Sequence, residues 1–298
     1  MSIGGGAWRG KLCAVTMADA AKIAFQISLF VVILGYGLTA QFSDVLYVLK
    51  RPGLLARSLL AVIVLAPALA VLLVWAIDLR PQVAIALVTL AISPLPPLLP
   101  RRGGKAGGQI QYGLGLVIVL AVLAVPVIAL AATLLGMAVG RSYLITPWAI
   151  AQLLAVSVLA PLLAGMAVRA RWPSAAARLS KPIEHAQRWA LPVAGVVLLI
   201  TSASDMWKLV GESTLWAVVG FVVGAFAIGD LLGGPDHDSR ILLAFATSCR
   251  HPATALAIAS ANFPNADERG AVALYGLVTT AVSLLYHQWW RRRRSKAD

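Results

Sequence analysis

The sequence has little charge. Only 12% of its 298 residues are Asp, Glu, Lys or Arg, against about a quarter in soluble domains, which excludes an ordinary soluble globular protein. It has two cysteines, Cys13 and Cys249, and the second lies within an apolar stretch, so no disulfide framework is predicted. It contains no paired-carboxylate motif, no nucleophile elbow and no histidine cluster with metal-ligand spacing. No cofactor or metal is therefore expected, and an enzyme is disfavoured.

Long apolar stretches are abundant instead. Apolar residues make up 60% of the chain, and a helix needs about 20 residues to cross about 30 Å of hydrocarbon. The stretches that approach this length are 22–41, 58–77, 81–99, 112–139, 147–168, 189–204, 213–233, 241–262 and 270–290. Because two of them are interrupted and 189–204 is short, eight or ten spans remain open. We predict an all-α membrane protein with about nine transmembrane helices.

The basic residues indicate an orientation. A net charge of +13 would by itself suggest nucleic-acid binding, but these residues lie between the apolar stretches and not along one stripe. The positive-inside rule explains them better, so no nucleic-acid partner is expected. It predicts a cytoplasmic C-terminus and an extracytoplasmic N-terminus, with a leader at 1–21. The membrane is expected to be a bacterial inner membrane. The basic segment 291–298 is expected to be a cytoplasmic tail that touches membrane lipids.

Two apolar stretches contain helix-breaking residues. The first, "LAISPLPPLLPRRGGKAGG", contains Pro94, Pro96, Pro97 and Pro100, and the second, "AFATSCRHPATALAIA", contains Pro252 after Arg250 and His251. Proline lacks an N–H and clashes with the preceding helical turn, so neither stretch can form one regular helix. Interrupted helices survive in a membrane only where protein or a water-filled cavity covers the break. Interruptions in the two halves of a chain are typical of a transporter's binding site, although two structural kinks are the alternative.

Three segments resemble a known family. "ILGYGLTAQFSDVLYVLKRP", then "VTLAISPLPPLLP" followed by "GGKAGG", then "CRHPATALAIASANF" are similar to the second, fourth and ninth helices of the bile acid:sodium symporter family. The resemblance implies an inverted-repeat transporter fold, with two discontinuous helices that cross in a core domain beside a panel domain. It places the panel at 22–41, 147–168 and 189–204 and the core at 58–139 and 213–290, within one transmembrane domain at 22–290. The family's first helix is expected to be missing from this chain.

The resemblance also exposes departures from the family. Its two sodium ions are held by side-chain oxygens, and the corresponding positions here are apolar or lack a side chain: Val62, Leu99, Pro100, Gly113, Val117 and Ala246. The family's sodium-coordinating amide and its neighbour fall on Arg250 and His251. Sodium is a hard cation that needs oxygen ligands. No sodium binding is therefore expected, and Arg250 could provide a fixed charge in place of the ion.

The candidate site is built around Arg250. Thr247, Arg250, His251 and Thr254 follow helical spacing and are expected to share one face, and Ser93 in the first interrupted stretch is a further substrate-binding candidate. Asp230 could pair with Arg250 or carry a coupling proton, and His251 is the second coupling candidate. The alternatives are a structural clamp on carbonyl groups for Arg250, a satisfied buried histidine for His251, and a helix cap for Asp230.

These observations favour a secondary transporter of a small organic anion, working by alternating access without sodium. Proton coupling and uniport both remain open. A transport-dead family member acting as a sensor or partner is the main alternative, and a membrane-embedded enzyme using His251 and Asp230 as acid and base is a weaker one.

Overall fold

The computed structural model describes residues 27, 30–31, 33–93, 95, 99–139, 152, 155–201, 203–211, 213–263 and 268–294. The regular elements among them are all helical: α1 at 33–39, α2 Phe42–Leu49, α3 Pro52–Ala76, α4 Pro81–Ile92, α5 Leu99–Lys105, α6 Ile110–Val139, α7 Ala160–Arg171, α8 Pro173–Thr201, α9 Ala203–Leu209, α10 Thr214–Leu232, α11 His237–Ser248, α12 Pro252–Asn262 and α13 Arg269–Arg294. The predicted leader at 1–21, the residues Pro94, Pro96 and Pro97, and the end of the predicted tail at 295–298 lie outside the described residues. The first part of that tail, 291–294, continues helix α13.

Three of the described helices are long and apolar enough to cross a membrane. They are α3, α10 and the Arg269–Arg292 part of α13, while Pro81–Ile92 and Ile110–Leu123 form shorter apolar helices. Large apolar side chains also cover the outside of the molecule: Trp75, Trp207, Trp216 and Leu231 are all more than 70% exposed. Such a surface suits lipid and not water. The chain is an all-α membrane protein, and nine spans with an inverted repeat remain a prediction.

Helix α3 changes its hydrogen-bonding pattern in the middle. Residues Leu60–Leu65 form a π-helical segment, and the N–H of Ala66 donates to the carbonyl of Ala61, five residues back. The next residue, Pro67, has no N–H to donate. The carbonyl of Val62 is five residues before this proline, so it lacks its helical partner and is available to another group.

The two interrupted stretches pair with each other. Helix α4 stops at Ile92 and α5 begins at Leu99, while α11 stops at Ser248 and α12 begins at Pro252. Helix α4 packs against α12, and α5 packs against α11. The described edges of the two breaks therefore meet inside the molecule, where Ser93, Arg250 and His251 are buried.

Glycines let the helices around the breaks approach closely. A Cβ at Gly103 or Gly113 would contact the side chain of Leu242 on α11, and a Cβ at Gly229 of α10 would collide with the backbone of Leu243 and Ala244. The glycine-rich segment after the first break thus provides the surface on which α11 packs.

A separate pair of helices lies on the other side of α6. Gly37 of α1 and Gly165 of α7 stand face to face, and a Cβ at either position would collide with backbone atoms of the opposite helix. Ile33, Leu162 and Met166 are buried around this contact together with Leu114 of α6. Both helices lie in stretches predicted to form the panel, an assignment that remains a prediction.

Candidate functional site

Ser93, at the start of the first break, forms hydrogen bonds with its own helix and with the second break. Ser93 follows the last residue of α4 with an extended backbone (φ −67°, ψ 149°). Its hydroxyl donates to the carbonyl of Leu90 at 2.7 Å and accepts the backbone N–H of His251 at 3.1 Å. The predicted substrate-binding candidate Ser93 therefore joins the two breaks to each other.

The second break is closed by a tyrosine from α13. The hydroxyl of Tyr275 accepts the backbone N–H of Arg250 at 2.8 Å and donates to the carbonyl of Ser248 at 2.5 Å. Ser248 ends helix α11, and Pro252 removes the N–H that would otherwise reach its carbonyl. One buried side chain thus supplies the hydrogen bonds that the proline and the break take away.

His251 is the N-cap of helix α12. Its ring Nδ1 accepts the backbone N–H of Thr254 at 3.2 Å, and the Thr254 hydroxyl lies at the same distance from this nitrogen. A nitrogen that accepts a backbone N–H carries no proton, so the neutral ring has its single proton on Nε2. The Nε2 atom is buried and has no hydrogen-bond partner among the described residues.

Arg250 lies inside the protein, with 3% of its surface exposed. Its Nη2 donates to the carbonyl of Val62 at 3.0 Å, and its Nη1 makes a longer contact with the carbonyl of Ser93 at 3.4 Å. Its Nε has no partner among the described residues. These oxygens are neutral, so the described structure gives the guanidinium no carboxylate counter-charge, although a buried charge normally needs one.

The threonines of the candidate site have local roles. Thr247 donates its hydroxyl to the carbonyl of Leu243 in its own helix at 2.8 Å, and Thr254 caps α12 with His251. Thr247 belongs to α11 and Thr254 to α12, with extended residues between them. The four residues predicted to share one helix face therefore do not lie on a single helix. Pro100 and Pro252 each stand within the first two positions of a helix, where a missing N–H costs nothing.

The suggested pairing of Asp230 with Arg250 is wrong. The carboxylate of Asp230 accepts hydrogen bonds from Arg240 Nη2 at 2.5 Å and from the hydroxyl of Tyr286 at 2.6 Å. Asp230 lies near the end of α10 and Arg240 near the start of α11. Because this short connection places an arginine beside the carboxylate, the ion pair forms between neighbouring helices and not across the core.

Sequence reasoning missed two groups of the site. Tyr275 escaped it because a lone tyrosine in an apolar helix has no distinctive spacing, although its hydroxyl needs a buried partner. The Val62 carbonyl was missed because every residue has a main-chain carbonyl, so the residue type does not show which one is free. Pro67, five residues later, was the available signal.

Comparison with known proteins gives the family. The model of the Sodium Bile acid symporter family matches residues 26–213, which include the first break and end before the second. No curated protein matches the chain. Since the match covers more than half of the sequence, this chain belongs to the sodium bile acid symporter family and is an integral membrane transporter.

Proposed function

We propose that the protein is a secondary transporter of a small organic anion that works by alternating access without sodium coupling. The family supports transport of a small molecule. The class of substrate, the alternating-access mechanism and the independence from sodium are proposals that rest on the site. The same holds for the proposal that this chain is not an enzyme.

Arg250 carries the proposal. It is a permanent cation that is buried, and among the described residues its guanidinium contacts only neutral oxygens and its Nε has no partner. An uncompensated cation in low dielectric attracts an anion strongly. The position of Arg250, at the meeting point of two interrupted helices, is where transporters commonly bind their substrates.

The same residue supports independence from sodium. Val62, Val117 and Ala246 are buried at positions that the family resemblance relates to its sodium sites, and none has a side-chain oxygen. Arg250 donates directly to the main-chain oxygen of Val62. A fixed cation there removes the need for a bound ion and repels one by like charge. Proton coupling and uniport are both compatible with this arrangement.

The arrangement of helices supports alternating access. Helix α4 packs against α12 and α5 against α11, and Arg250 and His251 of the second break bond to Ser93 of the first. Tyr275 connects the second break to α13. We propose that this core moves as a unit against a panel that contains α1 and α7. In a bacterial inner membrane, the basic end of α13 would face the cytoplasm.

Uptake into proteoliposomes tests the proposal, with radiolabelled cholate as the probe. We expect uptake by the wild type and almost none by Arg250→Ala. Arg169→Ala is the matched control, because Arg169 also donates to a main-chain carbonyl, that of Leu38 at 3.1 Å, but lies away from the breaks. Equal uptake by both variants would contradict the role of Arg250, and absence of uptake by the folded wild type would contradict transport of this anion class.

A further inference from the structure

Two consecutive buried residues each have a side-chain nitrogen without a hydrogen-bond partner among the described residues. They are Arg250, through Nε, and His251, through Nε2, and each residue is only 3% exposed. Native proteins leave few buried donors unpaired, because desolvating a polar group without a new hydrogen bond is costly. Two such donors in consecutive residues indicate an acceptor that binds here during the working cycle.

The other side-chain nitrogens of both residues already have partners. Each terminal nitrogen of the Arg250 guanidinium directs one of its two N–H groups at a carbonyl, that of Val62 or that of Ser93. The His251 Nδ1 accepts the backbone N–H of Thr254. Among the described residues, Arg250 Nε and His251 Nε2 are thus the nitrogens of these two side chains that have no partner at all, and they are the donors available to a ligand.

Within the described part of the chain, only neutral groups from the neighbouring helices bond to these two residues. They are the Val62 carbonyl of α3, Ser93 after α4, Thr254 of α12 and the Tyr275 hydroxyl of α13. No acidic side chain among the described residues pairs with Arg250, since the carboxylate of Asp230 is bonded to Arg240 and Tyr286. Helix α12 begins directly after His251, so its N-terminal end, which carries a partial positive charge, also lies at this site. A permanent cation beside donors that have no partner favours an anion.

We propose that Arg250 Nε and His251 Nε2 together bind the carboxylate of a monocarboxylate substrate, each donating to one of its two oxygens. This inference rests on the proposed function, because it specifies how the same site recognises its anion. His251 is then a neutral donor and does not carry a coupling proton. Protonating Nδ1 would direct its N–H against the Thr254 N–H and break the helix cap.

The substitution His251→Asn separates the two roles of this ring. The asparagine oxygen can occupy the Nδ1 position and accept the Thr254 N–H, and asparagine is a favourable N-cap, but no donor remains at the Nε2 position. We expect cholate affinity to fall about 10- to 100-fold, the usual effect of one hydrogen bond to a charged group, while the melting temperature stays close to that of the wild type. His185→Asn, at an exposed position of α8, is the control and should bind cholate normally.

The nitrogen-15 NMR signals of the His251 ring, assigned with the His251→Asn variant, provide a second measurement. The full-length protein in lipid nanodiscs should show unprotonated Nδ1 and protonated Nε2 throughout pH 5 to 8, the range in which free histidine changes charge. Acetate and cholate should shift the Nε2 signal more than the Nδ1 signal, and the methyl ester of cholate should not. An imidazolium, the opposite tautomer, or no Nε2 response to either carboxylate overturns the inference.

The two proposals fail differently. Cholate uptake with unchanged affinity in His251→Asn would refute the two-donor site and leave anion transport standing. An Nε2 response to cholate without uptake into proteoliposomes would refute transport and leave the binding site standing.

Discussion

Individual residues close the two breaks with hydrogen bonds that come from distant parts of the chain. Tyr275 satisfies one N–H and one carbonyl of the second break, and Ser93 satisfies the N–H of His251. In hydrocarbon no water can replace these bonds. The backbone around Arg250 is therefore held by side chains, and its geometry depends on them.

Tyr275→Phe tests this dependence. It leaves the Arg250 N–H and the Ser248 carbonyl without their partner, and an unsatisfied buried group costs about 1–3 kcal/mol. We expect a lower melting temperature in detergent and weaker cholate binding, since the Arg250 backbone is released.

Tyr112→Phe is the control for that experiment. The Tyr112 hydroxyl contacts Ser58 Oγ at 2.5 Å, but the Ser58 hydroxyl also donates to the Leu54 carbonyl at 2.6 Å. Removing the tyrosine hydroxyl leaves Ser58 with its acceptor, so the loss of stability should be smaller. If Tyr112→Phe is as damaging as Tyr275→Phe, the break does not depend specifically on Tyr275.

At the scale of elements, the π-helical segment of α3 provides an oxygen for Arg250. Pro67 cannot donate an N–H, and the Val62 carbonyl accepts Arg250 Nη2 instead. A helix irregularity of this kind often marks a functional site. Here its effect is to expose one main-chain acceptor to the core.

Pro67→Ala should therefore weaken the site without destabilising the protein. The new N–H can bond a carbonyl of the preceding turn and compete with Arg250 for Val62. We expect lower cholate affinity with an unchanged or higher melting temperature, since alanine favours helix over proline.

Pro161→Ala is the matched control for Pro67→Ala. Pro161 also follows a π-helical segment, Ala155–Leu159, but α7 begins there without a buried arginine contact among the described residues. It should leave binding unchanged. Equal affinities of the Pro67→Ala variant and the wild type would show that Arg250 does not need the freed oxygen.

The contact between α1 and α7 depends on glycine. A methyl group at Gly37 would collide with the carbonyl of Leu162 and the Cα of Gly165, whereas one at Gly276 of α13 would meet nothing within 4 Å. We expect Gly37→Ala to destabilise the protein by about 1–3 kcal/mol through overpacking, measured by thermal unfolding. Gly276→Ala should raise stability by about 0.5–1 kcal/mol, and a loss of stability there would contradict the open space around this residue.

At the scale of the whole molecule, we propose that a sodium gradient does not drive transport. Replacing sodium by potassium on both sides of the proteoliposome membrane should leave cholate uptake unchanged, because Arg250 supplies the charge that a bound cation would contribute. The measurement is the initial uptake rate at several sodium concentrations. A rate that rises steeply with sodium would mean that oxygen ligands for the ion exist elsewhere in the chain.

The sequence alone predicted the features that depend on local chemistry. Low charge and long apolar stretches specify the membrane as solvent and the helix as the backbone structure, because hydrocarbon leaves no other way to satisfy an isolated segment. The described helices stop at Ile92 and at Ser248, close to the prolines that were expected to interrupt them. A proline acts on its own helical turn, so its effect is visible in a short stretch of sequence.

Only the tertiary structure decided the partners of the buried polar groups. Arg250 and Val62 are separated by 188 residues, and Arg250 and Tyr275 by 25, and no spacing rule connects such positions. The Asp230 carboxylate was available to either arginine in the sequence, and the close packing of α10 on α11 gave it Arg240. Hydrogen bonds act over about 3 Å, so their partners are chosen by which helices become neighbours, and that choice is made by the packing of the whole chain.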